Sequence, residues 1–439
     1  MLMDSQFLSR RIKDITSACT HCGKCFEVCP IVPYTSAKGA NSEIITKDVI
    51  SILKDEDFGK DSQIWVNSCE KSGICIDACP EDINPREMLT YAKLKLQSDL
   101  EGLDKIQEKS RNYFRLLSNT IKFVSAFQMT SDSYKNLISV KVNKKKKSKN
   151  VFYFGCNILQ TPHILFSCME IFDRLGIDFE IAGGVSHCCG INHIRRGDLE
   201  TGVKMGANSL EHFLAYEPER IITFCPTCQM QYTEYSDLYS EGLKVFHNTV
   251  NSVFEETDKT RVPFVHITQF LIENLPHLIS FFVKPIKKRV ALHLHSGVEE
   301  IEKNVQKIVS SIPGIELIEI EQKRDHSYQC PSLVIPEAKE AMRHQLFDSA
   351  RKANIDSLVT VYHSCHRELC GEEKNQPFEI INFTSLLGET MSFEYSDILK
   401  NFKVEENWDL VLKEAQNSLM EHGFHKEDIE KLLASALDR

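Results

Sequence analysis

The chain has 439 residues, 42% hydrophobic and 26% charged, which predicts a globular protein of two or three domains. No apolar run reaches the ~18 residues that a membrane span needs, and residues 1–18 lack the hydrophobic block of a secretory signal. The net charge of −10 gives no general reason to expect nucleic-acid binding. We therefore expect a cytoplasmic protein without a nucleic-acid partner.

Cysteine is the most informative residue type, with 16 copies. Many of the cysteines fall in tight runs, and the chain is long and has no secretory signal. A disulfide framework is therefore not expected. In a reducing compartment, such runs indicate metal or iron–sulfur ligands.

The first run is Cys19-x-x-Cys22-x-x-Cys25-x-x-x-Cys29-Pro30. Three cysteines at this spacing let a tight loop surround one cubane. In two-cluster ferredoxins the fourth cysteine, before proline, ligates the neighbouring cluster. A structural zinc site is the alternative, but it needs no such four-cysteine run followed by proline.

The second run, Cys69-x5-Cys75-x3-Cys79-Pro80, has Ser72 where the first run has its second cysteine. With crossed ligation, one complete [4Fe-4S] cluster is held by Cys19, Cys22, Cys25 and Cys79. The other site retains three thiolates, which favour a [3Fe-4S] cluster: Cys29, Cys69 and Cys75. A serine-ligated [4Fe-4S] cluster is the alternative, although a serine oxygen is harder and more basic than a thiolate.

The stretch WVNSCEKSGICIDACPEDINP resembles a segment of the iron–sulfur subunits of succinate dehydrogenase and fumarate reductase. The likeness covers residues 15–98. It implies a [3Fe-4S] cluster of the kind that lies next to quinone in those subunits.

Residues 99–150 contain no cysteine and read as a helical linker that ends in a lysine-rich run, KVNKKKKSKN. The lysines suit a solvated linker, with contact to anionic lipid headgroups as the alternative. The helical stretch 104–127 is the candidate for a peripheral contact at the inner membrane face.

Residues 151–400 alternate short β-rich runs with helical patterns, the rhythm of a parallel α/β sheet. The pattern starts twice, at VFYFG and at RVALHLH, with offsets of 137 to 141 residues between matching positions. We infer an internal duplication. Three of the five cysteines of the first copy are replaced in the second, by Ser296, Gln329 and Tyr362.

Those five cysteines form the pattern Cys156-x31-Cys188-Cys189-Gly190-x34-Cys225-x-x-Cys228. Each group follows a predicted strand, and ligand sites in open α/β sheets lie at the carboxyl ends of the strands. Adjacent cysteines have diverging side chains, which suit a large or open cluster better than one corner of a cubane.

The pattern resembles the cysteine-rich CCG domain of heterodisulfide reductase-type proteins, and the order of modules resembles the fused reductase subunit over residues 15–400. The resemblance implies one noncubane [4Fe-4S] cluster bound by Cys156, Cys188, Cys189, Cys225 and Cys228. Because the second copy lacks three ligands, a second noncubane cluster is not expected there. Family disulfide cleavage uses two such clusters, so that full mechanism is not expected either.

Several cysteines and histidines fall outside these patterns. Cys330 and Cys365 remain in the second copy. Four histidines lie near them in the mirrored positions of the repeat: His293, His295, His363 and His366. We interpret the two thiols as remnants in the core, with a small His/Cys metal site as the alternative. Cys168 suits a helix core, and Cys370 has no partner by spacing. Three histidines flank the five-cysteine pattern and suit loop hydrogen bonds better than proton transfer: His163, His187 and His193.

The predicted fold class is thus α+β and α/β, a helical two-cluster ferredoxin module followed by a duplicated α/β CCG domain. The predicted segments are 1–98 (ferredoxin-like), 99–150 (helical linker), 151–288 (first CCG half), 289–400 (degenerate second half) and 401–439 (helical tail).

The predicted function is that of an iron–sulfur oxidoreductase subunit of a heterodisulfide reductase-like or quinone-linked complex. It would pass electrons between ferredoxin clusters and a noncubane cluster. A flavoprotein partner is implied because the chain has no G-x-G-x-x-G fingerprint after a strand. A quinone or membrane-anchored partner is the second expectation. The rival hypothesis is a catalytic thiol–disulfide reductase.

Overall fold

The computed structural model describes residues 6–141, 146–239, 262–297 and 299–437. Part of the predicted lysine-rich linker end, residues 142–145, lies outside the described residues. The described chain contains a helical N-terminal module, two parallel sheets with flanking helices, and a helical C-terminus.

The N-terminal module is built from six helices around a small apolar core. Phe26 and Trp65 meet edge to face at 5.2 Å between ring centroids, and Val49 and Val66 are fully buried beside them. The helices are α1 (Gln6–Ala18), α2 (Lys24–Glu27), α3 (Ser42–Leu53), α4 (Lys60–Asn67), α5 (Ile74–Asp77) and α6 (Pro85–Glu101).

Helix α6 begins as its sequence predicts. The side chain of Asn84 accepts a hydrogen bond from the Glu87 amide at 3.2 Å, and Pro85 occupies the first helical position. The helix starts five residues after the Cys79-Pro80 corner and runs across residue 98, the predicted end of the module.

The predicted helical stretch 104–127 is helix α7 (Leu103–Ala126), followed by α8 (Ser131–Ile138). The apolar face of its C-terminal part lies inside the protein, since Ile121, Phe123 and Val124 are at most 2% exposed, whereas Leu116 earlier in the helix is 65% exposed. The end of α7 packs against the C-terminal helices α19 (Ile398–Val404), α20 (Trp408–Glu421) and α21 (Lys426–Ala436).

The first sheet has four parallel strands in the order β2-β1-β3-β4. Strand β1 is central and buried along its length after Asn150, as expected for a strand covered on both faces. The strands are β1 (Asn150–Gly155), β2 (Phe179–Gly183), β3 (Arg220–Thr223) and β4 (Phe264–His266). The helices are α9 (Pro162–Arg174), α10 (Ile191–Ile194), α11 (Leu199–Leu214), α12 (Pro226–Glu234), α13 (Ile267–Glu273) and α14 (Leu275–Ile279).

The second sheet repeats this topology with the order β6-β5-β7-β8, again fully parallel. Its strands are β5 (Lys288–His293), β6 (Ile315–Leu317), β7 (Ser357–Thr360) and β8 (Glu379–Asn382). Its helices are α15 (Glu299–Ser310), α16 (Pro336–Lys352), α17 (His363–Leu369) and α18 (Phe383–Thr390).

The strand registers reproduce the offsets read from the sequence. Asn150 pairs with Arg220 in the first sheet, and Val290 pairs with Ser357 in the second. The paired positions are 70 residues apart in the first sheet (150 and 220) and 67 apart in the second (290 and 357). This three-residue difference agrees with the sequence offsets of +140 for the central strands and +137 for their neighbours. The predicted fold class is confirmed, and the repeated topology agrees with a duplication.

A buried ion pair joins the N-terminal module to the first sheet unit. Arg86 in α6, whose side chain is 2% exposed, bonds to Glu234 at the end of α12 and donates to the Lys71 carbonyl oxygen at 3.0 Å. By contrast, Arg11 pairs with Glu87 within the module, with 38% of the arginine side chain exposed.

Replacing Arg86 should therefore destabilise the chain more than replacing Arg11. Arg86→Met removes a buried guanidinium from both the Glu234 carboxylate and the Lys71 carbonyl oxygen and should cost about 3 kcal/mol.

Arg11→Met removes a partly exposed guanidinium from Glu87, which keeps the hydrogen bond from the Tyr91 hydroxyl at 2.7 Å, and should cost about 1 kcal/mol. Thermal unfolding of the full chain, followed by circular dichroism, measures the difference. Equal midpoints for the two variants would contradict the assigned contact.

Candidate metal centres

Five cysteines from three loops of the first sheet unit line one cavity of about 290 Å³. The loops follow the carboxyl ends of β1, β2 and β3, which a parallel sheet places along one edge. The cysteines are those of the predicted noncubane site: Cys156, Cys188, Cys189, Cys225 and Cys228. The structure thus brings together all five, although 72 residues separate the first from the last.

The thiols are close enough to share protons. The Cys156 and Cys188 sulfurs lie 3.8 Å apart. Hydrogen bonds from Cys156 and then Cys189 hold the pKa of Cys188 well below its ordinary value, and Cys228 has the same effect on Cys225. The same contacts raise the pKa of Cys156, Cys189 and Cys228 well above its ordinary value. A positively charged group in the cavity would therefore favour ionisation of all five thiols to the metal-binding thiolate form.

The Cys188–Cys189 turn depends on a glycine contact. Gly190 has φ +80°, and a Cβ there would lie 1.9 Å from the carbonyl oxygen of Gly202 in α11. The Tyr239 hydroxyl donates to the Cys189 carbonyl oxygen at 2.6 Å, which fixes the turn from the other side. No side chain larger than hydrogen fits at position 190 without moving backbone.

A second glycine makes room for the thiols on the β1 side. Gly155 has φ +79°, and a Cβ there would lie 3.3 Å from the Cys228 sulfur. The hydroxyl of Tyr153, two residues earlier, lies 3.6 Å from that same sulfur. These two β1 positions therefore border Cys228.

The cavity also contains residues that the sequence analysis did not assign to this site. Arg195, Arg367 and His363 line it, and the last two come from the second sheet unit. His363 is 1% exposed, and neither of its ring nitrogens makes a hydrogen bond of ordinary geometry within the described chain. It lies near enough to Cys225 to lower the pKa of that thiol, after the larger effect of Cys228.

Gln329, which replaces a cysteine in the second copy, also reaches this cavity. Its amide nitrogen donates to the Thr227 hydroxyl at 3.0 Å, and its amide oxygen accepts from the Ser364 hydroxyl at 2.9 Å. Gln329, which stands where the first copy has a cysteine ligand, thus links the two sheet units through a hydrogen bond to Thr227.

The three histidines that flank the five-cysteine pattern do not line the cavity. His187 bonds to the Gly183 carbonyl oxygen at 3.1 Å, and His193 bonds to the Ser110 hydroxyl at 2.6 Å. His163 lies 3.5 Å from the Asp397 carboxylate. Their predicted structural role agrees with these contacts.

In the ferredoxin-like module, four cysteines line a second, smaller cavity: Cys19, Cys22, Cys25 and Cys79. Burial raises the pKa of Cys25 to about 12, against the opposing effect of Thr46. A positively charged group bound at this site would offset the cost of ionising the thiol.

The three remaining cysteines of the module, Cys29, Cys69 and Cys75, also interact. Burial raises the pKa of Cys69, and the charge of Cys29 raises it further. Burial likewise raises the pKa of Cys75 well above its ordinary value, with smaller contributions from Cys69, Cys25 and Cys29.

The two cysteine loops of the module have the same backbone shape. His21 and Gly23 have φ +61° and +75°, and Lys71 and Gly73 have +59° and +84°. Ser72 therefore occupies the loop position of Cys22, as the sequence alignment predicted. Ser72 is 9% exposed.

A pocket of about 130 Å³ lies between the N-terminal module and the sheet units. Cys69 lines it, together with Arg195 and Pro331, and the latter two also line the five-cysteine cavity. Arg195 and Pro331 thus form a wall that the Cys69 pocket and the five-cysteine cavity share.

The donor sets fit iron–sulfur clusters. Each of the three sites offers thiols, the soft ligands that such clusters require. At the five-cysteine site, the arginines add positive charge and N–H donors beside the sulfurs, and His363 adds an imidazole ring. No helix in the described residues is long and apolar enough to cross a membrane.

Two family models match the chain. Residues 15–83 match the 4Fe-4S dicluster domain, and residues 151–233 match the cysteine-rich domain. The order of a ferredoxin domain followed by a cysteine-rich domain, predicted from the sequence, is confirmed.

Curated relatives align with most of the chain at low identity. A fumarate reductase (CoM/CoB) subunit of Methanothermobacter marburgensis is 23% identical over 340 residues, which cover 75% of this chain and 61% of the relative. A dihydromethanophenazine:CoB–CoM heterodisulfide reductase subunit of Methanosarcina barkeri is 21% identical over 388 residues, 80% of this chain and 88% of the relative.

A solved structure, a hypothetical protein from Helicobacter pylori, aligns with 83% of this chain and 74% of its own at 10% identity. The TM-score of this alignment is 0.48. The relatives confirm the resemblance to heterodisulfide reductase-type iron–sulfur proteins and agree with an oxidoreductase subunit. Iron–sulfur clusters are confirmed as the cofactor class, while their types and number stay predictions.

The Gly190 contact predicts a selective loss of metal. Gly190→Ala forces the Cys188–Cys189 turn away from α11 and should remove the iron of the five-cysteine site while the ferredoxin iron remains. Gly176→Ala is the matched control, because Gly176 has φ +65° and open space around its Cβ position. Iron content per chain after anaerobic purification measures both, and equal iron in the two variants would contradict the prediction.

Proposed function

We propose that this chain is the iron–sulfur electron-transfer subunit of a heterodisulfide reductase-like or quinone-linked oxidoreductase complex. The observation that carries the proposal is the arrangement of three thiol sites in series. Cys25 influences Cys75 electrostatically, and the Cys69 pocket shares Arg195 and Pro331 with the wall of the five-cysteine cavity.

The proposed ligands follow the donor sets. A [4Fe-4S] cubane is assigned to Cys19, Cys22, Cys25 and Cys79. A [3Fe-4S] cluster, or a serine-ligated [4Fe-4S] cluster, is assigned to Cys29, Cys69 and Cys75. A noncubane [4Fe-4S] cluster is assigned to Cys156, Cys188, Cys189, Cys225 and Cys228. When bound, these groups supply one-electron redox chemistry.

The protein side chains tune that chemistry through charge and burial. Cys188, Cys189 and Cys228 are at most 3% exposed, so water has little access to their sulfurs. Arg195 and Arg367 face the same cavity and offset the charge of the thiolates. Such positive groups favour the more negative, reduced state of the site.

A catalytic thiol–disulfide reductase is the second candidate. The size of the five-cysteine cavity and the names of the relatives favour it. Against it stands the second sheet unit, where Ser296, Gln329 and Tyr362 occupy three of the five matching positions. Cleavage of small disulfides by the isolated, chemically reduced chain would distinguish this candidate from a pure electron carrier.

Partner proteins follow from the same reasoning. A flavoprotein is proposed as one partner because the sequence carries no dinucleotide fingerprint, and a membrane-anchored or quinone-reactive protein as another. Helix α7 is a poor choice for direct lipid contact, since most of its large apolar side chains face the protein interior. Peripheral association at the inner membrane face is therefore proposed to run through a partner protein.

The five-cysteine assignment is tested by exchanging one thiol for a hydroxyl. Cys225→Ser should abolish the electron paramagnetic resonance signal of the noncubane site and leave the ferredoxin signals intact. Cys370→Ser is the matched control, since Cys370 is also fully buried but does not line the cavity. A noncubane signal that survives Cys225→Ser, or disappears in Cys370→Ser, would reject the assignment.

The [3Fe-4S] assignment is tested at Ser72. Oxidised wild-type protein should show the near-isotropic spin-half signal of a [3Fe-4S] cluster, and Ser72→Cys should convert that site toward a cubane because a soft fourth ligand becomes available. Ser68→Cys, on the other side of Cys69, adds a thiol outside the loop position and should leave the signal unchanged. An anaerobic wild-type sample with only cubane signals would contradict the assignment.

A further inference from the structure

Two histidines of the second sheet unit stand where the first unit has Tyr153 and Gly155. The +140 offset read from the sequence, with which the strand registers agree, places His293 at the Tyr153 position and His295 at the Gly155 position. The second unit has therefore changed its central strand as well as losing three thiols.

The changed positions are those that border a thiol present in both units. In the first unit, Tyr153 and Gly155 both approach the Cys228 sulfur. The +137 offset puts Cys365 at the Cys228 position. By this correspondence, the imidazoles of His293 and His295 are expected to lie near Cys365, the counterpart of Cys228.

The side chains meet in the structure. The Nε2 atoms of His293 and His295 lie 3.1 Å and 3.4 Å from the Cys330 sulfur, and the Cys330 amide donates to the Cys365 sulfur at 3.3 Å. The four ligand atoms lie within 4.8 Å of one another, and all four residues are at most 2% exposed.

We propose that His293, His295, Cys330 and Cys365 bind one zinc-class divalent cation in a tetrahedral site with two nitrogen and two sulfur ligands. Zn–N and Zn–S bonds of about 2.0–2.3 Å give ligand-to-ligand edges of about 3.3–3.8 Å. The His295 Nε2–Cys330 sulfur separation of 3.4 Å lies within that range, and the His293 Nε2–Cys330 sulfur separation of 3.1 Å lies just below it. This proposal does not depend on the electron-transfer assignment of the other sites.

An outer hydrogen bond orients one ligand. Nδ1 of His295 lies 2.9 Å from the Ser327 carbonyl oxygen, which leaves Nε2 facing the two sulfurs. Zinc-bound histidines characteristically donate their other ring N–H to a carbonyl or carboxylate oxygen. The N–H of Cys330 similarly supports the Cys365 sulfur.

The arrangement favours a single ion over a two-iron cluster. In a cluster with two histidines on one iron and two thiolates on the other, the nitrogens and sulfurs lie on opposite sides. Here both imidazoles touch the same sulfur, of Cys330. Four protein ligands also complete a tetrahedral shell, so the ion has a structural role with no open position for substrate.

The site adjoins the five-cysteine cavity. Gln329 and Pro331, on either side of Cys330, both line that cavity. A cation that fixes Cys330 therefore holds the wall between the two centres. In the second unit, the proposed structural zinc site thus stands in place of a five-cysteine redox site. It supports the wall of the five-cysteine cavity in the first unit.

Metal analysis of the full chain, purified anaerobically with its iron, tests the proposal. Wild-type protein should contain about one zinc per chain in addition to iron. Chains produced in cobalt medium should show the ligand-field bands of tetrahedral Co²⁺ and a thiolate charge-transfer band. Cys365→Ser and His293→Ala should lower zinc content by roughly ten-fold or more.

Cys370→Ser is the matched control, a buried thiol in the same unit outside the four-ligand group, and it should retain zinc. Cys365→His keeps a ligand and should retain zinc if Cys365→Ser fails to fold. Wild-type protein with full iron but no zinc would overturn the proposal. Zinc that persists in Cys365→Ser, zinc lost equally in Cys370→Ser, or iron in place of zinc at the four ligands would also overturn it.

Discussion

The approach of the Cys188–Cys189 turn to helix α11 is the contact on which the main centre depends. Gly190 turns through a left-handed conformation within van der Waals distance of the Gly202 backbone, and Gly155 leaves space beside Cys228. These two glycines let thiols from three loops converge in one cavity. The parallel sheet supplies the common edge, and the glycines allow the close approach.

The two sheet units show how one topology supports different donor sets. Both have the same strand order and matching registers. In the first unit, Gly155 has no side chain, which leaves space beside the Cys228 sulfur for a cluster bound by the five thiols. In the second, His295 fills the equivalent space, and Gln329 forms hydrogen bonds to Thr227 where a thiol would stand. Small changes at the strand ends thus redirect the chemistry without altering the fold.

Much of the site was predictable because its ligands follow regular spacings. Cysteine runs mark loops, strand patterns place those loops on one edge, and the offset of the repeat identified Ser296, Gln329 and Tyr362 as lost ligands. Arg367 and His363 were not predicted as part of the cavity, because they belong to the other sheet unit. Only the packing of the two units brings them near Cys225.

Two other features lay beyond the sequence for different reasons. The amphipathic pattern of residues 104–127 predicts a helix correctly, but a pattern alone cannot say whether its apolar face meets lipid or protein. Here Phe123 and Val124 pack against the C-terminal helices. The contact between His293 and Cys330 likewise could not be predicted, because it depends on the directions of the two side chains. Those directions are set only when the strands of the second sheet pair.

In the proposed electron path, the second ferredoxin-type site and the five-cysteine site are neighbours. Electron paramagnetic resonance during an anaerobic redox titration tests it most directly. At potentials where both centres are paramagnetic, we expect spin–spin splitting, because Arg195 and Pro331 line both the Cys69 pocket and the five-cysteine cavity. Two unsplit, magnetically independent signals at those potentials would contradict it.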